Sequence, residues 1–317
     1  YGFLFYLEVI IIISQESDIM RYLPREFREQ IDPAVIGCAE EIRLRVGQPL
    51  ELLLENATVK QYEKVTPLQM RECISYLTGY SPYIFEEEMR QGFLTIEGGH
   101  RVGISGHASY HSGKQGMVTD CVSAISAINI RVAHEKKGCA ANLIPWMRKG
   151  EGWYHTILFS EPGAGKTTCL RDCIRILSSG EGLHRGYKVG VIDERSEIAA
   201  CHMGVPQNDL GPRCDVLDNC PKSIGMRMML RSMSPEFLAV DELGSREDFD
   251  VMQEAAQSGV YVIGTMHAGN ILELLAKLQS NQNRLEESLL RLIEIERDEG
   301  KRHYHVYDGG GQSMWES

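Results

Sequence analysis

The sequence lacks the features by which zinc ribbons, membrane spans and general nucleic-acid-binding proteins are usually recognised. No two of its nine cysteines form a C-x-x-C pair, which argues against a zinc ribbon. The apolar run at residues 1–13 contains Glu8 and is too short to span a bilayer. The formal net charge is −11, whereas proteins that bind polyanions usually carry a basic domain or stripe. A ring of acidic subunits with a basic pore would also have a negative net charge, so the net charge does not exclude this arrangement.

The cysteines and the first residues carry little functional information. Free thiols in such number indicate a reducing cytosol, and Cys169 and Cys173, one helical turn apart, are expected to be buried as small apolar side chains. Residues 1–13 lack a signal peptide's charged start and cleavage site. We interpret them as an apolar N-terminal extension, either a fragment edge or a translation artefact.

The first half of the chain has the pattern of antiparallel strand pairs. The 317 residues, 43% apolar and 24% charged, fit an ordinary globular chain of two domains. Alternating residues predict a hairpin over residues 41–54 and two strands around a tight turn within residues 93–110. Helix starts are predicted at Thr66 and Ser81, each followed by proline. Residues 14–145 are therefore predicted to form a smaller α+β domain.

From residue 146 onward, apolar strands alternate with helices. This alternation predicts an α/β fold with a mostly parallel sheet covered by helices on both faces, over residues 146–317. Residues 270–297, rich in Glu and Leu, have a helical pattern. The four predicted strands are residues 155–160, 188–194, 237–243 and 260–267.

A phosphate-binding loop is predicted between the first of these strands and the following helix. The stretch SEPGAGKTT has Gly-Lys-Thr where the pattern G-x-x-x-x-G-K-[ST], the Walker A motif, requires it. In such loops successive backbone N–H groups point at the phosphates, and the helix dipole also favours negative charge. Lys166 would reach the β and γ phosphates of ATP, and the Thr167 hydroxyl would bind Mg²⁺. The predicted nucleotide-binding residues are Pro162, Gly163, Ala164, Gly165, Lys166, Thr167 and Thr168.

The loop departs from the usual pattern at its first position, where Ser160 replaces glycine. That glycine makes the turn off the strand and does not itself cradle the phosphate, so a small serine should fit with modest strain. Glu161 adds a negative charge near a triphosphate, at a cost that screening limits if its side chain points to solvent. We expect the loop to bind nucleotide, with some loss of affinity.

An Asp-Glu pair at the end of the third strand supplies the second half of the predicted site, in the manner of a Walker B motif. Asp241 is placed to hold Mg²⁺ through water, and Glu242 to polarise the attacking water as a general base. The pair follows the loop with another strand between them, which is the layout of RecA-like ATPases. That intervening strand ends in Asp193-Glu194-Arg195, with Glu197 beyond. These are further candidates for positioning water or metal, with a solvated strand end and local ion pairs as the alternative.

A histidine and several arginines complete the candidate catalytic set. His267 ends the fourth strand, at the sheet edge that carries the loop and Glu242, where it could sense the γ phosphate by hydrogen bonding. A guanidinium near the transferred phosphate can contribute ~10³–10⁵ in rate, and Arg227 and Arg231 lie just before the Asp-Glu strand. Arginines on first-domain strands could instead reach a neighbouring subunit, although each is as readily explained as a surface residue. These are Arg43, Arg45, Arg101 and Arg131.

Longer stretches around these residues resemble the stage III sporulation protein AA family, which is similar in turn to the hexameric secretion ATPases of type II and type IV pilus systems. The stretches are VIDERSEIA, the run from LGPRCDVLDN to VIGTMHAG and, upstream, EEIRLRVGQP, EGGHRVGISG and SAINIRVAHE. The resemblance covers about residues 20–270, and the segment after Leu275 does not match the family's last strands. The family pattern matches at Lys166, Thr167, Asp241, Glu242 and His267.

The resemblance implies a bilobed subunit that joins an N-terminal α/β domain to a RecA-like motor, uses ATP and Mg²⁺, and forms a ring, expected to be a hexamer. It also implies a place in the mother-cell cytoplasm of an endospore-forming bacterium, peripherally associated with the membrane around the forespore. There the ATPase would energise a secretion-like channel with inner-membrane proteins of that complex. Two alternatives stay open. One is a RecA-like ATPase acting on nucleic acid, against which the acidic charge counts, and the other is a nucleotide-binding scaffold that scarcely hydrolyses.

Overall fold

The computed structural model places most of the chain in two compact units, one up to His134 and one from Glu135 onward. This division precedes the one expected at residue 145, because Ala140 and Leu143 are buried in the core of the second unit. The apolar extension expected at residues 1–13 lies outside the described residues. The structure describes residues 19–32, 35–36, 38–54, 57–90, 92–113, 116–281, 285–298 and 301–316.

The first unit is built on a six-stranded sheet in which every neighbouring pair is antiparallel. Its strands are β1 (Ala39–Arg45), β2 (Pro49–Leu54), β3 (Ala57–Lys64), β4 (Phe93–Thr95), β5 (Arg101–Gly113) and β6 (Gly116–Arg131). Their order across the sheet is β3-β2-β1-β6-β5-β4. The predicted hairpin is β1 and β2, and the predicted pair around the tight turn is β4 and β5, so both predictions are confirmed.

The helices with described bounds in this unit include α1 (Arg25–Gln30), α2 (Pro67–Leu77) and α3 (Glu86–Arg90). α2 begins as predicted. The Thr66 hydroxyl accepts a hydrogen bond from the Gln69 N–H at 3.2 Å, and the Gln69 side chain accepts one from the Thr66 N–H at 2.9 Å, which together form a capping box. The start predicted at Ser81 leads first into a 3₁₀ turn, Pro82–Phe85, and then into α3.

The second unit contains an eight-stranded sheet that is parallel from its first edge through its sixth strand. Its strands are β9 (His155–Ser160), β10 (Val189–Asp193), β11 (Cys214–Asp218), β12 (Phe237–Val240), β13 (Tyr261–His267), β14 (Leu290–Asp298), β15 (Lys301–Asp308) and β16 (Ser313–Glu316). Their order is β11-β10-β12-β13-β9-β14-β15-β16, with antiparallel pairing only from β14 to β16 among these strands. A separate two-residue pair is formed by β7 (Arg148–Lys149) and β8 (Gly152–Trp153). The predicted mostly parallel sheet is confirmed.

Helices cover both faces of this sheet. They are α4 (Ile144–Met147), α5 (Lys166–Ser179), α6 (Lys222–Ser232), α7 (Arg246–Gln257) and α8 (Ile271–Ser280), with a 3₁₀ turn at Glu287–Leu289. Leu158 packs in one core cluster with α5, whereas its neighbours Ile157 and Phe159 pack in another with α6, α7 and α8. Alternate side chains of β9 therefore face opposite layers, as a strand buried on both faces requires. Cys169 and Cys173 are fully buried in the first cluster, as expected. No helix in the described part of the chain is both long and apolar enough to cross a membrane.

The prediction that a helical pattern continues from residue 270 to Arg297 was wrong over its second half. α8 ends at Ser280, and β14 occupies Leu290–Asp298 beside the loop strand β9. The first six residues of β14 are all buried, because both of its faces are covered. Two of these buried residues, Arg291 and Glu294, are charged, so the segment lacks the continuous apolar run that predicts a strand buried on both faces. The strand lies beside β9 on the side away from β13, and the sheet continues from it to β15 and β16.

Candidate functional site

The loop between β9 and α5 turns at two glycines. Gly163 has φ +84° and Gly165 has φ +101°, a region that favours glycine because it has no Cβ. α5 begins at Lys166, so the free N–H groups of its first turn face the loop. A cavity of about 300 Å³ opens there. It is lined by Pro162, Gly163, Gly165, Lys166, Thr167, Thr168, Arg195, Glu197, Asp241, Glu242 and His267.

The Lys166 ammonium lies at the centre of this arrangement. It is 7% exposed and contacts the Ser160 carbonyl oxygen at 3.1 Å, the Ser160 hydroxyl and Glu161 carbonyl oxygens at 3.0 Å, and His267 Nδ1 at 3.0 Å. Burial lowers the pKa of Lys166, while the negative charges of Asp241 and Glu242 act in the opposite direction. An ammonium has three protons, so these four acceptors share them.

Ser160 is accommodated at the end of β9. Its side chain is buried, and its hydroxyl donates to the Glu161 carbonyl oxygen at 2.6 Å while it accepts from Lys166. The Glu161 side chain is exposed, so screening by solvent limits the cost of its negative charge near a triphosphate. The serine thus adds an acceptor for Lys166 that glycine would lack.

Thr167 and Asp241 form the candidate magnesium site. The Thr167 hydroxyl donates to Asp241 Oδ2 at 2.8 Å, and the Thr265 hydroxyl donates to Asp241 Oδ1. Hydroxyl and carboxylate oxygens suit Mg²⁺, which usually keeps waters and takes its remaining ligands from substrate phosphates. Among the described residues no group of three or more His, Cys, Asp or Glu side chains could hold a metal. The residues present therefore fit a phosphate-bound Mg²⁺ rather than an all-protein site.

Glu242 lies beside this pair with both carboxylate oxygens engaged. Oε1 lies 3.2 Å from His267 Nε2, and Oε2 lies 2.9 Å from Arg195 Nη1. Because the Lys166 ammonium can only donate, His267 accepts at Nδ1 and carries its proton on Nε2, which donates to Glu242. Glu242 has φ +59°, uncommon for a residue with a side chain, and its N–H donates to the Thr265 hydroxyl at 2.8 Å.

Two of the predicted catalytic residues, Glu194 and Arg231, do not line the cavity of about 300 Å³ at the loop, which we call the phosphate cavity. Glu194 is ion-paired with Lys222 and lines a neighbouring cleft of about 560 Å³, which also borders Glu242 and His267. Arg231 is exposed in the last turn of α6 and lines neither space.

The four arginines of the first unit lie on its strands with partners in that unit. Arg43 and Arg131 pair with Glu41, Arg45 pairs with Glu51, and Arg101 lies over the ring of Phe93. A role for them in a neighbouring subunit stays a prediction.

Of three further residues near these groups, Asp193 and Arg195 were candidates for positioning water or metal in the sequence, and Thr265 was not singled out. Arg195 contacts Glu242, and Thr265 contacts Asp241. Asp193 accepts from three successive N–H groups, those of Glu197, Ile198 and Ala199, at 2.8, 3.0 and 2.7 Å. Burial raises the pKa of Asp193, although these N–H groups act to lower it. The one available signal for Thr265 was position, since it lies in β13, which ends at the same edge.

Comparison with known structures defines the class of protein. The fold resembles the ATPase DotB of Legionella pneumophila, with 16% sequence identity, a TM-score of 0.54 and coverage of 85% of this chain and 77% of that one. It also resembles the pilus retraction motor PilT with bound ADP, at 16% identity and a TM-score of 0.57, covering 87% and 81% of the two chains. At such identities the likeness shows the fold alone. The protein has the RecA-like fold of the secretion ATPases, with a P-loop and an Asp-Glu pair in place.

Sequence comparison then identifies the family. The chain belongs to the family "Sporulation stage III, protein AA", whose model matches residues 14–314. Stage III sporulation protein AA of Bacillus subtilis (strain 168) is 39% identical over 276 residues, covering 87% of this chain and 88% of that protein. The uncharacterized protein ycf45 of Porphyra purpurea is 27% identical over 157 residues, 49% of this chain and 26% of that protein. The family resemblance seen in the sequence is confirmed.

Proposed function

We propose that the protein is a Mg²⁺-dependent ATPase that works as the motor subunit of a secretion-type ring. The observation that carries the proposal is the convergence of the loop, Asp241, Glu242 and His267 on one cavity of about 300 Å³. Membership of the sporulation family and the fold shared with DotB and PilT support it.

The residues around the loop would bind ATP through its phosphates. The first N–H groups of α5 and the Lys166 ammonium present positive charge to the β and γ phosphates. To reach them, Lys166 would exchange its contacts with Ser160 and Glu161 for phosphate oxygens. Thr167 and Asp241 would hold Mg²⁺. When bound, this ion would neutralise part of the negative charge on those phosphates.

Glu242 would act as the general base. It would orient a water for attack on the γ phosphorus and accept the water's proton as the bond to the leaving ADP oxygen breaks. His267 joins Glu242 to Lys166 by hydrogen bonds of 3.2 and 3.0 Å. When Lys166 turns to the γ phosphate, His267 Nδ1 is free to take a new partner, so this histidine would sense the nucleotide state.

The assembly and its location are part of the same proposal. Head-to-tail interfaces that close make rings, and nucleotide between subunits can couple hydrolysis to rigid-body motion. We expect a homo-oligomeric ring, a hexamer, peripheral to the membrane around the forespore in the mother-cell cytoplasm. It would dock on inner-membrane proteins of a sporulation channel and energise that channel. The family name and the likeness to a pilus motor support this placement.

The test is ATP hydrolysis per subunit, measured with Mg²⁺ while the protein concentration is raised. Lys166→Ala serves as the control. A rate per subunit that climbs with concentration and disappears in the control is expected for a site completed by a neighbouring subunit. A rate that vanishes at every concentration, with no nucleotide bound, would contradict the proposal. If single-stranded nucleic acid stimulates ATP hydrolysis by the wild type, the result would favour the alternative of a RecA-like ATPase that acts on nucleic acid.

A further inference from the structure

Arg195 occupies an exposed side of the phosphate cavity. It follows β10 directly after Glu194, and its side chain is 63% exposed. Its Nη1 lies 2.9 Å from Glu242 Oε2, and it lines the cavity together with the loop and Asp241. The guanidinium therefore lies within reach of the proposed general base and of the space that phosphates would fill.

The contact with Arg195 engages the one carboxylate oxygen of Glu242 that His267 leaves free. His267 Nε2 donates to Oε1, and Arg195 donates to Oε2. A general base must offer a lone pair to the attacking water in a suitable direction. In this arrangement each Glu242 oxygen is engaged by one partner, so a water that approaches Oε2 must compete with the Arg195 guanidinium.

A γ phosphate in this cavity would be a stronger partner for Arg195 than Glu242 is. A guanidinium matches phosphate oxygens bidentately, and the terminal phosphate of ATP carries more negative charge than one carboxylate. Lys166, which reaches the β and γ phosphates in such loops, is connected to Glu242 through His267. The γ phosphate would therefore lie on the Glu242 side of the cavity. ADP lacks that phosphate and would leave Arg195 on Glu242.

We propose that Arg195 exchanges partners during the ATPase cycle, binding Glu242 when no γ phosphate is present and the γ phosphate when ATP is bound. The exchange frees Oε2 of Glu242 to orient the attacking water and adds positive charge where the transition state gathers negative charge. The water's oxygen bonds to the γ phosphorus, the bond to the bridging oxygen of ADP breaks, and the water's proton passes to Glu242. Arg195 is then a catalytic residue supplied by the same chain as the loop. This inference rests on the proposed ATPase function.

The test compares two nucleotides that differ in the γ phosphate. Isothermal titration of the full chain measures the affinity for Mg²⁺-ADP and for the Mg²⁺ complex of a non-hydrolysable ATP analogue. The variants are Arg195→Ala, Arg195→Lys and, as matched control, Arg246→Ala, which removes an exposed arginine at the start of α7 that does not line the cavity. Thermal unfolding of each variant checks that it is folded.

The expected result is a loss that depends on the γ phosphate. Arg195→Ala should weaken the ATP analogue about 10- to 100-fold, the range for one hydrogen-bonded charged contact, and leave ADP within about two-fold. Arg195→Lys should fall between, since it keeps the charge and loses the bidentate geometry. If the wild type binds both nucleotides and Arg195→Ala loses equal affinity for both, or none for either, the exchange of partners is overturned. The ATPase proposal would then still stand. A wild type that binds neither nucleotide would overturn both.

Discussion

The loop glycines offer a prediction whose size can be worked out from the backbone. An alanine at Gly165 would adopt φ +101°, and its Cβ would lie 2.6 Å from Arg302 Nη2 and 2.9 Å from Arg302 Nε. An alanine at Gly163 would adopt φ +84° with no heavy atom of the described chain within 4 Å. Gly163→Ala is therefore a matched control that carries the backbone strain without the collision.

The two substitutions should differ by the cost of moving one side chain. Left-handed backbone costs an alanine about 1–2 kcal/mol, which is the expected effect of Gly163→Ala. Gly165→Ala adds the displacement of the Arg302 guanidinium, about 1 kcal/mol because a long side chain can swing aside. For a unit of this size, 1 kcal/mol corresponds to about 2–4 °C in Tm.

The assay is differential scanning calorimetry of the full chain for Gly163→Ala, Gly165→Ala and Gly165→Ala combined with Arg302→Ala. Arg302→Ala alone gives the baseline for the combination. The Tm of Gly165→Ala should be the lowest of the glycine series. Gly165→Ala should lower the Tm of the Arg302→Ala protein by about 2–4 °C less than it lowers the Tm of the wild type. Equal Tm values for Gly163→Ala and Gly165→Ala, or the same loss in the two backgrounds, would refute the collision.

Two further predictions concern the site's resting contacts and the protein's pH dependence. Ser160→Gly removes one of the acceptors that compete with phosphates for Lys166, so titration calorimetry should show ATP binding up to about five-fold tighter; unchanged or weaker binding would contradict this. Burial, assisted by the charge of Lys149, lowers the pKa of His155 to about 4. Between about pH 6.5 and about pH 4, this histidine is therefore protonated in the unfolded chain, where a His pKa is near 6.5, and neutral in the folded chain. The free energy of unfolding should fall as the pH drops through this range, by roughly 3 kcal/mol at most. Urea unfolding across this range should show the fall in the wild type and a flatter profile in His155→Asn.

Much of the fold could be predicted because its signals are local. Each of the four apolar strands predicted in the second unit appears within a few residues of its expected position, and Thr66 caps its helix through contacts three residues away. The third strand stops at Val240, short of the expected Leu243, because Glu242 takes a left-handed conformation. β11 went unpredicted, since CDVLD is only five residues long, has no regular alternation of polar and apolar residues, and lies at the sheet's edge.

The contacts within the site depend on the order of the strands, which the sequence does not display. Lys166, Glu242 and His267 were expected at one sheet edge, and parallel pairing of β13 with β9 and with β12 brings them into contact. The contact between Arg195 and Glu242 requires β10 and β12 to be neighbours. A pattern of residues could place each side chain at a strand end, but which strands adjoin is a property of the whole sheet.

The most direct test of ATP hydrolysis at this cavity is a single-turnover experiment with excess Glu242→Gln protein and labelled Mg²⁺-ATP. Glutamine keeps the size of the side chain and cannot accept the water's proton. We expect ATP to bind and remain intact, with the chemical step slowed about 10²–10⁴-fold relative to the wild type. Conversion to ADP at the wild-type rate would contradict the account, because Glu242 would then have no part in the chemistry.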